Sequence, residues 1–262
     1  MKAGVRMQIA VVTGASSGLG REFVRQISRK EKLDAIWVIA RREDRLKELA
    51  ENSAVPVWPL PLDLTKPESI STVRGCLRAR KPDVRILVNA AGFGKIGTYP
   101  QISEQDSGRM IDLNCKALVA VTSALIPYMR RGARILEISS VASFQPLPGL
   151  NIYAATKAFV SSYSRALRWE MFGKGIHVTA VCPYWIGDTE FIPVAKDSAG
   201  SRAVRHFPLV SHAKTVAGFA LWASRLNLPV ATPGLLSSFI RLASKFIPHE
   251  IVIPIWEALR RI

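Results

Sequence analysis

The stretch "QIAVVTGASSGLGREFV" limits the architectures open to this chain. A short β-branched run (8–12) enters "TGASSGLG", and helical periodicity leaves it through "REFVRQISRK". Gly14, Gly18 and Gly20 permit a tight turn there and bring bare backbone N–H groups to a helix N-terminus, where a pyrophosphate would be stabilised. A glycine-rich turn of no special purpose has the same composition. Its position between a strand and a helix is what points to a dinucleotide.

The rest of the chain repeats the pattern. Strands are predicted at 35–40, 55–62, 84–89, 133–139 and 176–182, and helices follow "EDRLKELAEN" and "PESISTVRGCLRAR" and span 104–131 and 151–173. Strand and helix in strict alternation imply right-handed crossovers and a parallel sheet covered on both faces. With 262 residues, 48 % of them apolar, and no internal linker, residues 1–262 read as one α/β domain. The expected fold is a doubly wound parallel (Rossmann) sheet of about seven strands, with a helical tail at about 233–262. Ligands of such sheets bind at the carboxyl ends of the strands.

Composition narrows the functions. The 36 Lys and Arg against 20 Asp and Glu suit nucleic acid, an anionic membrane surface, or an anionic cofactor or substrate. The basic residues are dispersed and no nucleic-acid motif accompanies them, so nucleic acid is not expected as a partner. Three scattered cysteines show neither metal-ligand nor disulfide spacing, which suggests a reducing compartment and no metal. No signal peptide or uninterrupted membrane-length apolar run is read, so the expected location is cytoplasmic, with membrane association left open through the tail.

At the strand ends, "IARRED" places Arg41 and Arg42 where a carboxylate would favour NAD(H); guanidinium groups suit a 2′-phosphate, hence NADP(H) over NAD(H). Asp63 could accept from an adenine amine or cap a turn. Tyr153 and Lys157, four apart on a helix, lie one above the other. A phenol titrates near pH 10, and lowering that by about three pH units takes on the order of 4 kcal/mol, which an adjacent ammonium is placed to supply.

"TGASSGLG", "VNAAG" (88–92), "LEISS" (136–140) and Tyr153-x-x-x-Lys157 together resemble the short-chain dehydrogenases/reductases in order and spacing, over nearly the whole chain. The resemblance implies a catalytic set of Asn114, Ser140, Tyr153 and Lys157. Asn114 would hold a proton-relay water, Ser140 would orient the substrate oxygen, and Tyr153 would exchange its proton. Lys157 would support the phenol and hold the nicotinamide ribose. The implied cofactor set adds Gly14, Ser16, Ser17, Gly18, Leu19, Gly20, Arg41, Arg42, Asp63, Asn89, Ala90, Gly92, Pro183 and Thr189. The family's usual dimer face would fall on 104–131 and 151–173, implying a dimer or tetramer.

Two departures stand out. Ala90 replaces a second asparagine, and "CPYWIGDTEF" has Tyr184 where the family has glycine, with one extra residue before Thr189. Tyr184 and Trp185 either vary a nicotinamide loop or wall the substrate site. With Phe191 from a substrate loop at about 184–212, and Phe144 and Leu147 opposite, they imply a bulky apolar ketone or secondary alcohol. A hydroxysteroid is the leading expectation, an acyl or sphingoid lipid the alternative, and a non-catalytic cofactor-binding regulator the outsider. The tail suits packing, subunit contact or a membrane surface.

Overall fold

The computed structural model describes residues 6–198, 203–205 and 209–260. Seven strands form one parallel sheet in the order β3-β2-β1-β4-β5-β6-β7. They are β1 (Gln8–Thr13), β2 (Ala35–Ala40), β3 (Val57–Pro61), β4 (Asp83–Asn89), β5 (Met129–Ile138), β6 (His177–Val181) and β7 (Val230–Ala231). The strand order reverses between β1 and β4, which opens a crevice at their carboxyl ends.

Both faces are covered. Trp37, Ile9, Leu87 and Ile135 pack beneath α3 (Pro67–Arg80), α5 (Leu118–Leu125) and α6 (Asn151–Phe172). Ile36, Val88 and Leu136 pack beneath α1 (Gly18–Lys30), α2 (Glu43–Glu51) and α8 (Ala213–Arg225), with Phe23 of α1 among the buried residues of that layer. Each fully buried side chain of this kind contributes roughly 1.5–3 kcal/mol of transfer free energy. Strands buried on both faces read as continuous apolar runs, which is why their existence was plain in the sequence.

Two boundaries differ from expectation, each for a physical reason. The helix expected over 104–131 is α4 (Glu104–Ile111), a π-helical turn (Asp112–Ala117), α5, and a single 3₁₀ turn (Ile126–Tyr128). Pro127 ends it, because proline lacks the N–H a continuing helix would need. β5 accordingly starts at Met129 rather than 133, with its register against β4 shifting between Val84 and Ile86. β3 keeps Pro59 and Pro61 because it is an edge strand.

Glu104–Tyr128 taken whole is long and apolar enough to cross a membrane, but half of its most apolar stretch is buried inside the domain, as in a core helix. The tail forms α9 (Leu235–Phe246) and α10 (His249–Leu259), separated by Pro248; a short α7 (Phe191–Lys196) precedes α8.

Candidate active site

One large cavity of about 1030 Å³ runs along the carboxyl ends of the strands from Arg41 to the tail helices. Gly14, Ser16, Ser17, Gly18, Leu19, Gly20, Arg41, Arg42, Asp63, Ala90, Gly92, Pro183 and Thr189 line it. Asn89 does not. Its side chain turns into the core, donating to Thr122 Oγ1 at 2.7 Å and Glu137 Oε2 at 3.0 Å. Asp63 carries its own turn, accepting from the Thr65 N–H and hydroxyl at 3.0 and 2.7 Å, which is the capping alternative. Its carboxyl is held below the usual range: burial pushes it up, but the Thr65 hydrogen bonds and Arg41 and Lys66 outweigh that.

Of the four residues expected to act together, Ser140, Tyr153 and Lys157 line the base of this cavity, and Asn114 is buried without lining it. Tyr153 and Lys157 project from α6, fully enclosed, and Lys157 Nζ sits 5.7 Å from the phenol ring centre. Nζ donates to the Ile138 carbonyl at 2.8 Å, which fixes it at the end of β5. Ser140 hydrogen-bonds the phenol and accepts from Ala142 N–H at 3.1 Å. Ser139 points the other way, donating to the Lys157 carbonyl at 2.8 Å, so of the two serines Ser140 is the one aimed at the phenol.

Asn114 lies in the π-helical turn. Its amide accepts from Phe93 N–H at 3.0 Å and donates to Phe93 O at 2.9 Å and Thr156 Oγ1 at 3.1 Å. It therefore clamps the segment after β4 against α6. Gly92 passes between, where a Cβ would stand 2.9 Å from Asn114 Oδ1 and 3.5 Å from Lys157 Nζ. Only glycine leaves that space.

The electrostatics differ from the sequence-based expectation. Burial pushes the Tyr153 phenol up to about 12, against a lowering contribution from its Ser140 hydrogen bond. Burial also brings Lys157 down to about 8, countered by Cys115, Cys182 and Glu137. Desolvation is the largest cause in both groups, so the phenol is not acidified in this state. Glu137, wholly buried on β5, is raised by burial to about 7 despite hydrogen bonds from Thr122 and Asn89. Sequence reasoning passed over it, since a carboxylate within "LEISS" reads as an outward strand residue.

On the substrate side, Leu147, Tyr184, Trp185 and Phe191 line the cavity. Phe191 packs 5.4 Å from the Tyr153 ring, and Trp185 6.4 Å from Phe191. Phe144 is instead packed away against Ala180, Cys182 and Val230, and takes no part in the lining. Positions 199–202 and 206–208 of the expected substrate loop lie outside the described residues.

The tail supplies what the sequence left open. Leu236, Ile240, Ala243, Val252 and Trp256 roof the cavity, and Trp256 Nε1 donates to Pro148 O at 2.9 Å. The other face of the same helices leaves Leu235, Leu242, Phe246 and Ile251 exposed.

The residues present suit a dinucleotide. A helix N-terminus with its glycine turn faces the crevice, two guanidinium groups stand at the end of β2, and a buried cation and phenol lie at the far end. Comparison with known proteins agrees. The short chain dehydrogenase model matches residues 8–198. A sulfoacetaldehyde reductase from Chromohalobacter salexigens is 35 % identical over 229 residues, covering 83 % of this chain and 88 % of that protein. An NADP-dependent 3-hydroxy acid dehydrogenase of Salmonella typhi is 35 % identical over 190 residues, covering 71 % and 75 %.

Among solved structures, a short-chain dehydrogenase from Sphingobium yanoikuyae in complex with NADPH superposes with a TM-score of 0.76 at 30 % identity, covering 92 % of this chain and 96 % of that one. A bulky-bulky ketone specific alcohol dehydrogenase from Comamonas testosteroni does so with a TM-score of 0.73 at 27 % identity, covering 93 % and 96 %. With sheet, strand-end residues and sequence in agreement, the chain belongs to the short-chain dehydrogenase/reductase family and is an NAD(P)-dependent oxidoreductase.

Proposed function

We propose that this enzyme interconverts a bulky apolar ketone and its secondary alcohol with NADP(H), a hydroxysteroid being the favoured substrate class. The observation that carries the reading is the apolar roof of α9 and α10, facing a base that holds Tyr153, Ser140 and Lys157. Arg41 and Arg42 would hold a 2′-phosphate, the turn from Gly14 to Gly20 the pyrophosphate, and Lys157 and Thr189 the nicotinamide end. The names of the NADP-dependent relative and the NADPH-bound structure support that preference.

Bound there, a nicotinamide supplies or accepts the hydride. The chain's own residues manage the proton. Tyr153 is protonated at neutral pH and would give that proton to the carbonyl oxygen as the hydride arrives at carbon. Ser140 would fix the substrate oxygen beside Tyr153 Oη. Lys157 Nζ, lowered to about 8, can both carry and give up a proton near neutrality, so it would restore the phenol after each turnover. Asn114, bound to Phe93 and Thr156, would keep the lysine and the cofactor segment in register.

Steady-state assay of NADPH oxidation with ketosteroids, 3-ketosphinganine, β-ketoacyl thioesters and sulfoacetaldehyde tests the reading. Turnover on ketosteroids with none on sulfoacetaldehyde is expected. The reverse would favour a small anionic substrate held by Arg109, which also lines the cavity and whose relatives' names include such compounds. Cofactor binding with no turnover on any carbonyl would leave a regulator.

The proposal extends to assembly. Phe159, Trp169 and Phe172 on α6 are exposed and suit a second copy of the chain, as the family's dimer face would require. The outward apolar row of α9, with Lys245, suits an anionic membrane surface. Sedimentation velocity and vesicle co-sedimentation test the two separately.

A further inference from the structure

Glu190 falls between two residues already placed at the site, and its side chain leaves both of them. Thr189 lies against the glycine turn: a Cβ added at Gly18 would come within 3.2 Å of its Cβ. Phe191 packs on Tyr153. Between them, the Glu190 carboxylate crosses the mouth of the cofactor crevice to α2. One oxygen accepts from Arg42 Nη1 at 2.9 Å and the other is paired with Arg45 Nη1. The remaining face of the Arg42 guanidinium is bound by Ser16 Oγ, at 3.3 Å from Nε and 3.2 Å from Nη2.

A carboxylate bridging two guanidinium groups occupies the kind of position that a phosphate oxygen would take. Arg42, Arg45 and Glu190 are 39 %, 36 % and 44 % exposed, and Arg42 and Glu190 line the crevice itself. Hydrogen bonding to Arg45 and then Arg42 holds the Glu190 carboxyl down to about 2, so it is anionic throughout the working range of pH. Among the described residues, Arg45 meets no carboxylate hydrogen-bond partner other than Glu190. Sequence reading missed both residues, since Arg45 looks like a solvated helix position and Glu190 like loop charge.

We propose that Glu190 acts as an internal rival of the cofactor's 2′-phosphate: it holds Arg42 and Arg45 when no phosphate is present and yields them when one arrives. Discrimination between phosphorylated and unphosphorylated dinucleotides is then set by an exchange of anions. The same exchange frees the segment that carries Phe191 onto Tyr153, linking the adenosine end of the cofactor to the substrate wall. This rests on the NADP(H) reading given above only in assigning the 2′-phosphate to the end of β2.

Isothermal titration of the full chain with 2′,5′-ADP and with 5′-ADP tests it without turnover. Glu190→Gln keeps the shape and removes the charge. It should tighten 2′,5′-ADP about tenfold and leave 5′-ADP unchanged, and adding Arg45→Ala should abolish the gain. Equal effects on both ligands, or none on either, would overturn the proposal. The two readings fail separately. Wild-type protein that binds both ligands alike defeats the NADP(H) preference, whereas an unaltered ratio in Glu190→Gln defeats the rivalry.

Discussion

The base and the roof of the cavity are built by opposite means. The base comes from strand ends and α6, where Tyr153, Lys157, Ser140 and Asn114 are buried and every polar contact is fixed by backbone or core groups. The roof comes from α9 and α10, which bury few side chains fully and reach the domain through contacts such as Trp256 to Pro148. On the proposed function, the difference would leave chemistry to the part that cannot shift and selectivity to the part that can. Core packing is intolerant of small volume changes, whereas a helix laid over a cavity can vary its lining at little cost to the fold.

The largest expected effect strikes the base. Tyr153→Phe removes the proton donor and should lower kcat about 10²–10⁴-fold, the usual worth of a positioned acid, while NADPH binding by fluorescence titration stays near wild type. Retained turnover would mean the proton comes from elsewhere and the base has been misread. Next, Arg41→Asp should reverse the cofactor preference, shifting the ratio of kcat/KM for NADPH and NADH by about tenfold or more toward NADH. An unchanged ratio would show Arg41 to be merely solvated.

Trp256→Ala attacks the roof. It removes an apolar wall and the hydrogen bond to Pro148, and should raise KM for a bulky ketone about tenfold with kcat nearly unchanged, the mark of binding shared by ground and transition states. A fall in kcat with KM constant would place Trp256 in the chemistry and erase the contrast.

The last effect lies beneath the base and is read in stability, leaving turnover aside. Glu137 has its folded pKa raised from 4.5 to about 7, so the native state binds the extra proton between those values and stability falls as pH rises through them. The loss is on the order of 3 kcal/mol at pH above 7. Glu137→Gln should flatten that part of the profile, seen as a smaller difference in Tm between pH 5 and pH 7.5. An identical difference in the variant would show that the carboxyl titrates as it does in the unfolded chain.

The same division explains what the sequence disclosed. The six strands from β1 to β6 were legible, because sheets covered on both faces demand apolar runs and glycine turns that few other folds share. The pairing of Tyr153 with Lys157 was legible because helical spacing alone stacks them. The direction of their titration was not, since it depends on how completely water is excluded, which no motif records. Asn89 and Phe144 each stand beside cavity-lining neighbours yet turn away from the cavity, Asn89 bonding Thr122 and Glu137 and Phe144 packing on Ala180, Cys182 and Val230, and no motif records that rotation. The roof was the least legible part, because an amphipathic helix pair announces an apolar face without saying what that face will cover.

The order of the elements along the chain has one more consequence. A ribosome has made all seven strands, the glycine turn and α6 by the time it reaches Gly234, and only afterwards adds the two helices that close the top. Translation thus completes the strand-end residues around Tyr153 first and adds the cover proposed to select substrates last.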